Sequence, residues 1–176
     1  MNILVCGGAG FIGSAFIRNY FMNNIDSKIT NLDILTIGSN LKNLNDVENN
    51  PNYLFKKDDI KNESVINDLV KNVDVVVNFA AESHVDRSIA NPKPFIETNI
   101  LGTYSILEAI RKHDKQFIHV STDEIYGDAH GTLSFDENSQ INPSNPYAAT
   151  KAAADNLVAS YHRTYGIDYV ITRSTN

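Results

Sequence analysis

Short apolar runs alternate along this chain with longer stretches whose apolar residues recur at helical spacing. Ile3-Leu4-Val5-Cys6 is the first run, and Ser14 to Phe21 is the first stretch with an apolar stripe. Further strands are predicted at Lys28 to Leu32, Tyr53 to Lys56, Val73 to Phe79, Gln116 to Ser121 and Tyr169 to Thr172. Several are almost continuously apolar, as expected of strands covered by helices on both faces. Helices are predicted at Glu63 to Lys71, Pro94 to His113 and Pro146 to Tyr165. The last has readable ends: Ser144 or Asn145 can cap it, Pro146 suits its first turn, and Gly166 suits a left-handed exit. The Asn-rich segments Asn40 to Asn52 and Phe135 to Asn145 read as loops. Alternation of this kind builds crossover units. The expected fold is therefore α/β, a Rossmann-type doubly wound parallel sheet with helices on both faces, in one domain over residues 1–176 without repeats or linkers.

Composition narrows the classes. With 176 residues, 42% of them hydrophobic, the chain can bury a core of ordinary domain size. A formal net charge of -6 argues against nucleic acid as a partner. No stretch is apolar enough to cross a bilayer, and the N-terminus runs straight into a strand and glycine loop, so the expected location is cytoplasmic, without a membrane partner. Cys6 is the only cysteine, which rules out an internal disulfide or a cysteine-rich metal site and makes a packed core thiol its expected role. His84 has no partner at metal-ligand spacing, and His113, His119, His130 and His162 read as surface or packing residues. No metal is expected.

Three segments carry chemistry. Gly7-Gly8-Ala9-Gly10-Phe11-Ile12-Gly13 joins the first strand to the first helix, where glycines permit a sharp turn, close approach to a pyrophosphate and tight helix–sheet packing. Asp33 follows at the end of the second strand, where an acid holds ribose hydroxyls and favours NAD over NADP. Tyr147 and Lys151 stand one helical turn apart, so the lysine charge is expected to lower the phenol's pKa and make Tyr147 a base at neutral pH. Thr122, Asp123 and Glu124 fall at the carboxyl edge of the fifth strand. Their adjacent carboxylates could supply an acid and a base together. Small residues after Phe79 would let Ala80-Ala81-Glu82-Ser83-His84 approach the same crevice.

The glycine loop and the Tyr147-to-Lys151 motif resemble those of the extended short-chain dehydrogenase/reductase family. Ala80-Ala81-Glu82-Ser83-His84-Val85-Asp86-Arg87-Ser88 and Ser121-Thr122-Asp123-Glu124-Ile125-Tyr126-Gly127 are similar to its nucleotide-sugar 4,6-dehydratases. The resemblance implies Thr122, Asp123, Glu124, Tyr147 and Lys151 as catalytic residues. It implies NAD held by Gly7, Gly10, Phe11, Ile12, Gly13, Asp33, Ile34, Leu35, Thr36, Asp59, Ile60, Ala80, Ala81 and Ser83. Thr98 or Asn99, Tyr147 and Lys151 complete that set. Ser83, His84, Thr122 and Asn176 would contact the sugar. The implied reaction is loss of water from dTDP-glucose, with a UDP-sugar dehydratase, a 4-epimerase or a non-catalytic NAD-binding module as alternatives.

The family pattern is not matched throughout. Ile37 stands where a tyrosine is common. The family's C-terminal nucleotide-sugar-binding region is missing from this sequence, so the chain alone is expected to be nearly inactive. A homodimer is also implied, with the third and fourth predicted helices forming a four-helix bundle through Leu101, Tyr104, Ile106, Leu107, Ile110, Ala153, Leu157 and Tyr161.

Overall fold

Six parallel strands form one sheet in the order β3-β2-β1-β4-β5-β6. They are β1 (Asn2–Cys6), β2 (Lys28–Leu32), β3 (Tyr53–Lys56), β4 (Val75–Asn78), β5 (Gln116–Thr122) and β6 (Tyr169–Ser174). The computed structural model describes residues 1–24, 26–129 and 134–175. The chain winds outward from β1 to β3, then returns to place β4 on the other side of β1. A ligand crevice belongs at that reversal, beyond the carboxyl ends of β1 and β4.

Period-two alternation explains why both faces of β1 are apolar. Leu4 and Cys6 enter one core cluster with Ile66, Ile106, Leu107, Ile110 and Val158 from the helices. Ile3 and Val5 enter the other, with Ile17 and Phe21 of α1 (Phe11–Asn23). Leu4, Ile17, Ile29, Leu32 and Ile66 are fully buried, each contributing ~1.5–3 kcal/mol relative to exposure. β4 is shorter than the predicted Val73 to Phe79 and pairs with β1 over Ile3 to Cys6.

The remaining helices are α2 (Glu63–Val70), α3 (Val85–Ala90), α4 (Lys93–Phe95), α5 (Thr103–His113) and α6 (Pro146–Tyr165). The predicted helix from Pro94 to His113 is continuous but not uniform, since Ile96–Gly102 between α4 and α5 winds as a π-helix. The short α3 and the 3-10 turns at Leu41–Leu44 and Asp123–Tyr126 carry too little periodicity to be read from sequence. At α6 the cap is Asn145, whose side chain accepts from Ala148 N at 2.8 Å, and not Ser144. Gly166 closes the helix at φ 76°.

One expectation about apolar surface fails. Ile106, Leu107, Ile110 and Tyr161 are buried in the chain's own core, because α5 and α6 share one sheet face. Leu101 and Tyr104 do remain exposed, at 51% and 39%. Among the described residues no helix is long and apolar enough to cross a membrane.

Candidate active site

The turn after β1 is built on glycine. Gly7 has φ +78°, and a Cβ there would lie 2.5 Å from Ala80 N, so the turn can rest on the chain leaving β4 only without a side chain. A Cβ on Gly13 would strike the Gly7 carbonyl. Gly7 N donates to Leu32 O, Gly10 N to Gly7 O and Ser14 N to Gly10 O, which fixes the loop against α1. That helix begins at Phe11 with no side-chain cap, so its first-turn N–H groups have no side-chain acceptor. Such an end suits an anion.

Asp33 braces this turn. Its Oδ2 accepts from Ala9 N at 3.0 Å and its Oδ1 from Leu35 N at 2.8 Å. A carboxylate has about four lone-pair sites, so two remain for hydroxyl donors. Leu35 itself does not line the cleft, contrary to expectation. It adopts φ 63°, which turns the chain and spends its N–H on Asp33.

A cleft of about 550 Å³ opens beyond the strand ends. It gathers Gly7, Gly10 to Gly13, Asp33, Ile34, Thr36, Asp59, Ile60, Ala80, Ala81, Ser83, Thr98, Tyr147 and Lys151 on one surface. Asp58, Lys61, Glu97, Val120 and Ser121 line it too and were not foreseen. Asp58 follows β3, and Val120 and Ser121 lie just before Thr122 at the end of β5, so their places at carboxyl ends of strands are the signal that could have found them. Thr98, not Asn99, faces the cleft. Asn99 is buried, accepts from Glu82 N at 2.9 Å, and donates to Glu82 O at 2.9 Å and Thr150 Oγ1 at 3.0 Å. It ties the π-helix to the loop after β4 and to α6.

Tyr147 and Lys151 lie on one face of α6, 8% and 3% exposed. Ser88 of α3 accepts from Tyr147 N at 3.1 Å and holds the helix start. The surroundings of the phenol push it the other way from the expected lowering. Burial pushes the Tyr147 phenol above its usual 10, a hydrogen bond with Thr122 opposes this, and the Glu124 and Asp123 charges add to the rise. Lys151, whose Nζ donates to Val120 O at 2.7 Å, is not among the groups that oppose the rise. Burial brings the lysine down to about 8, with Asp155 opposing.

Thr122 ends β5 and caps the 3-10 turn that follows. Its Oγ1 accepts from Glu124 N at 3.3 Å and donates to Asp123 Oδ1 at 3.4 Å. Glu124 Oε2 accepts from Asn145 Nδ2 at 3.2 Å, so the neighbouring carboxylates turn to different partners. Thr122, Asp123 and Glu124 sit beside Tyr147 rather than in the cleft lining. His84, at the start of α3, is exposed and also off the lining, whereas Ser83 is on it. Asn176 and His130 lie outside the described residues.

A glycine-turned sheet edge with an acid after β2 and a Tyr–Lys pair on the helix after β5 defines a Rossmann-type domain of the extended short-chain dehydrogenase/reductase class. The chain belongs to the GDP-mannose 4,6 dehydratase family, whose model matches residues 4–176. It is 47% identical, over its whole length, to the low-salt glycan biosynthesis protein Agl12 of Haloferax volcanii. It is equally 47% identical, again throughout, to a dTDP-glucose 4,6-dehydratase of Haemophilus influenzae. The chain spans 56% of each of these relatives. Among solved structures, a double mutant of the dTDP-glucose 4,6-dehydratase DesIV from Streptomyces venezuelae, with NAD bound, superimposes with a TM-score of 0.94 at 42% identity. That match covers 98% of this chain and 55% of the other.

Proposed function

We propose that the protein carrying this chain is an NAD-dependent nucleotide-sugar 4,6-dehydratase acting on dTDP-glucose. The observation that carries the proposal is the convergence on one cleft of the glycine turn, Asp33 and the Tyr147–Lys151 pair, with Thr122, Asp123 and Glu124 against Tyr147. The turn and the uncapped start of α1 suit a pyrophosphate, and the free lone pairs of Asp33 suit ribose hydroxyls while repelling a 2′-phosphate. When bound, the nicotinamide supplies a reversible hydride acceptor.

Tyr147 then takes the proton of the sugar C4 hydroxyl as that carbon is oxidised to a ketone. Its raised phenol pKa makes it a strong base that needs help to ionise, and a cationic Lys151 lining the same cleft gives that help when the pair is engaged with ligand. The C4 ketone acidifies the C5 proton, which Glu124 removes. Asp123 protonates the C6 hydroxyl, which leaves as water; C6 then regains the hydride removed from C4, and C5 the proton held by Glu124, so the net change is loss of one water to a 4-keto-6-deoxy sugar. Thr122, already bonded to Asp123, steadies the C4 region, and Ser83 and His84 contact the sugar from the loop after β4. The working form is a cytoplasmic homodimer, with exposed Leu101 and Tyr104 at its helical contact.

Incubating the full-length protein with dTDP-glucose and with UDP-glucose, and following the alkali-induced absorbance of a 4-keto product, tests the proposal. Product from dTDP-glucose supports it; product from UDP-glucose alone changes the donor. A 4-epimer, or no product from protein that releases NAD on denaturation, refutes it.

A further inference from the structure

Behind the cleft, α6 continues the face that carries Tyr147 and Lys151 by one more turn, to Asp155. Asp155 is 2% exposed and Lys151 3%. An ammonium this deep is costly unless an opposite charge or a full set of acceptors offsets it. Its hydrogen bond goes to Val120 O, a neutral acceptor. The groups packed around it do not otherwise supply a negative charge from behind.

From β5 come Ser121 and His119, the latter 1% exposed, kept neutral by burial and by Lys151 itself. From β6 comes Arg173, a second cation, and from the turn after β5 comes Tyr126. Tyr147 lies one turn ahead, and the carboxylates nearest it, Asp123 and Glu124, act on that phenol. Asp155 alone among these is a carboxylate that acts on both cations, bonded to Arg173 and one helical turn from Lys151. Its Oδ2 accepts from Arg173 Nε at 3.0 Å, its Oδ1 lies 3.6 Å from His119 Nε2, and Ser121 faces it. Arg173 is held in turn by Tyr126, donating to the phenol oxygen at 2.7 Å. Arg173, Ser121 and Lys151 all favour the ionised carboxylate that burial disfavours.

We propose that Asp155 is a positioning residue for Lys151: its buried carboxylate, one helical turn behind, keeps the lysine ammonium charged where Val120 O holds it at the back of the cleft. This rests on the role given to Lys151 above. Arg173 acts one step further back, keeping Asp155 ionised. Without the carboxylate, buried Lys151 and half-buried Arg173 would share no counter-charge, and the lysine is the one able to release its proton.

The test is the NMR titration of Lys151 in full-length protein labelled with ¹³C,¹⁵N-lysine, its signal assigned by loss in Lys151→Met. Asp155→Asn, which keeps shape and removes charge, should lower the lysine's midpoint by about one pH unit or more. Asp155→Glu, which keeps charge and disturbs packing, should leave it within about half a unit. An unmoved midpoint in Asp155→Asn overturns the proposal, and so does an equal shift in both variants. If Asp155→Asn does not fold, the Asp155 carboxyl carbon of the unaltered protein decides: a second inflection at the Lys151 midpoint supports the coupling, and its absence overturns it. Sugar turnover enters none of these readouts, so failed dehydration would sink the proposed function and leave Asp155's role standing.

Discussion

Replacing Asn99 by alanine removes three hydrogen bonds in one step: those to Glu82 N and O and the one to Thr150 Oγ1. At a net ~1 kcal/mol each, the loss is about 3 kcal/mol, and alanine's better helix propensity returns roughly 0.5. The Thr150 hydroxyl stays satisfied by donating to Tyr147 O at 2.8 Å, so the cost falls mainly on the backbone of Glu82. Asn99→Ala should therefore destabilise the protein by about 2–3 kcal/mol. In urea, with a slope of roughly 1–3 kcal/mol/M, the midpoint should fall by ~1 M or more at constant slope. Thr150→Val serves as a control. It removes one of the three bonds plus the one to Tyr147, and its cost should add to that of Asn99→Ala only in part, because the two residues share a bond. A midpoint for Asn99→Ala within about 0.2 M of the parent would refute the idea that this side chain holds the π-helix to the loop after β4.

Gly13→Ala places a methyl group against the Gly7 carbonyl and pushes α1 off the turn; calorimetry should show NAD binding weakened by about tenfold or more, and unchanged affinity would exclude the cradle. Lys151→Met should alter how stability depends on pH. Lys151 titrates at about 8 in the fold against 10.5 as a free side chain, so between those values the unfolded chain binds more protons and native stability rises with pH. Below 8 the burial penalty is fully present; by 10.5 it is gone, a swing of roughly 3 kcal/mol. The stability of the parent minus that of Lys151→Met should climb across this window in parallel denaturant series, and a flat difference would contradict the buried cation.

Where local pattern and tertiary environment agree, the sequence was readable. α6 spans Pro146–Tyr165 as predicted because proline, an asparagine cap and a left-handed glycine bound it independently of context. The glycine turn and Asp33 were readable because their spacing is set by one strand–helix–strand unit. Leu35 was misplaced because a family motif gives position along the chain and not the φ that directs a side chain. Helical spacing puts Lys151 on the same face as Tyr147 but does not show the burial that dominates the phenol, or that Val120 O holds the lysine Nζ. Asp155 passed unnoticed for a related reason: its partners His119 and Arg173 arrive from β5 and β6, and only the folded sheet brings them together.

The π-helix at Ile96–Gly102 also constrains length. A π-turn carries residues beyond what an α-turn needs, so deleting one would let Ile96–Gly102 close to α geometry. An α-helix turns the chain by about 100° per residue and a π-helix by less, so the helix on either side would keep nearly its phase while residues inside the segment changed face. Thr98 would leave the cleft and Asn99 its three partners, although no side chain had been exchanged. Substitutions here alter single contacts; loss of one residue would take up the slack that presents Thr98 to the cleft and Asn99 to its partners, and leave the helix on either side in place.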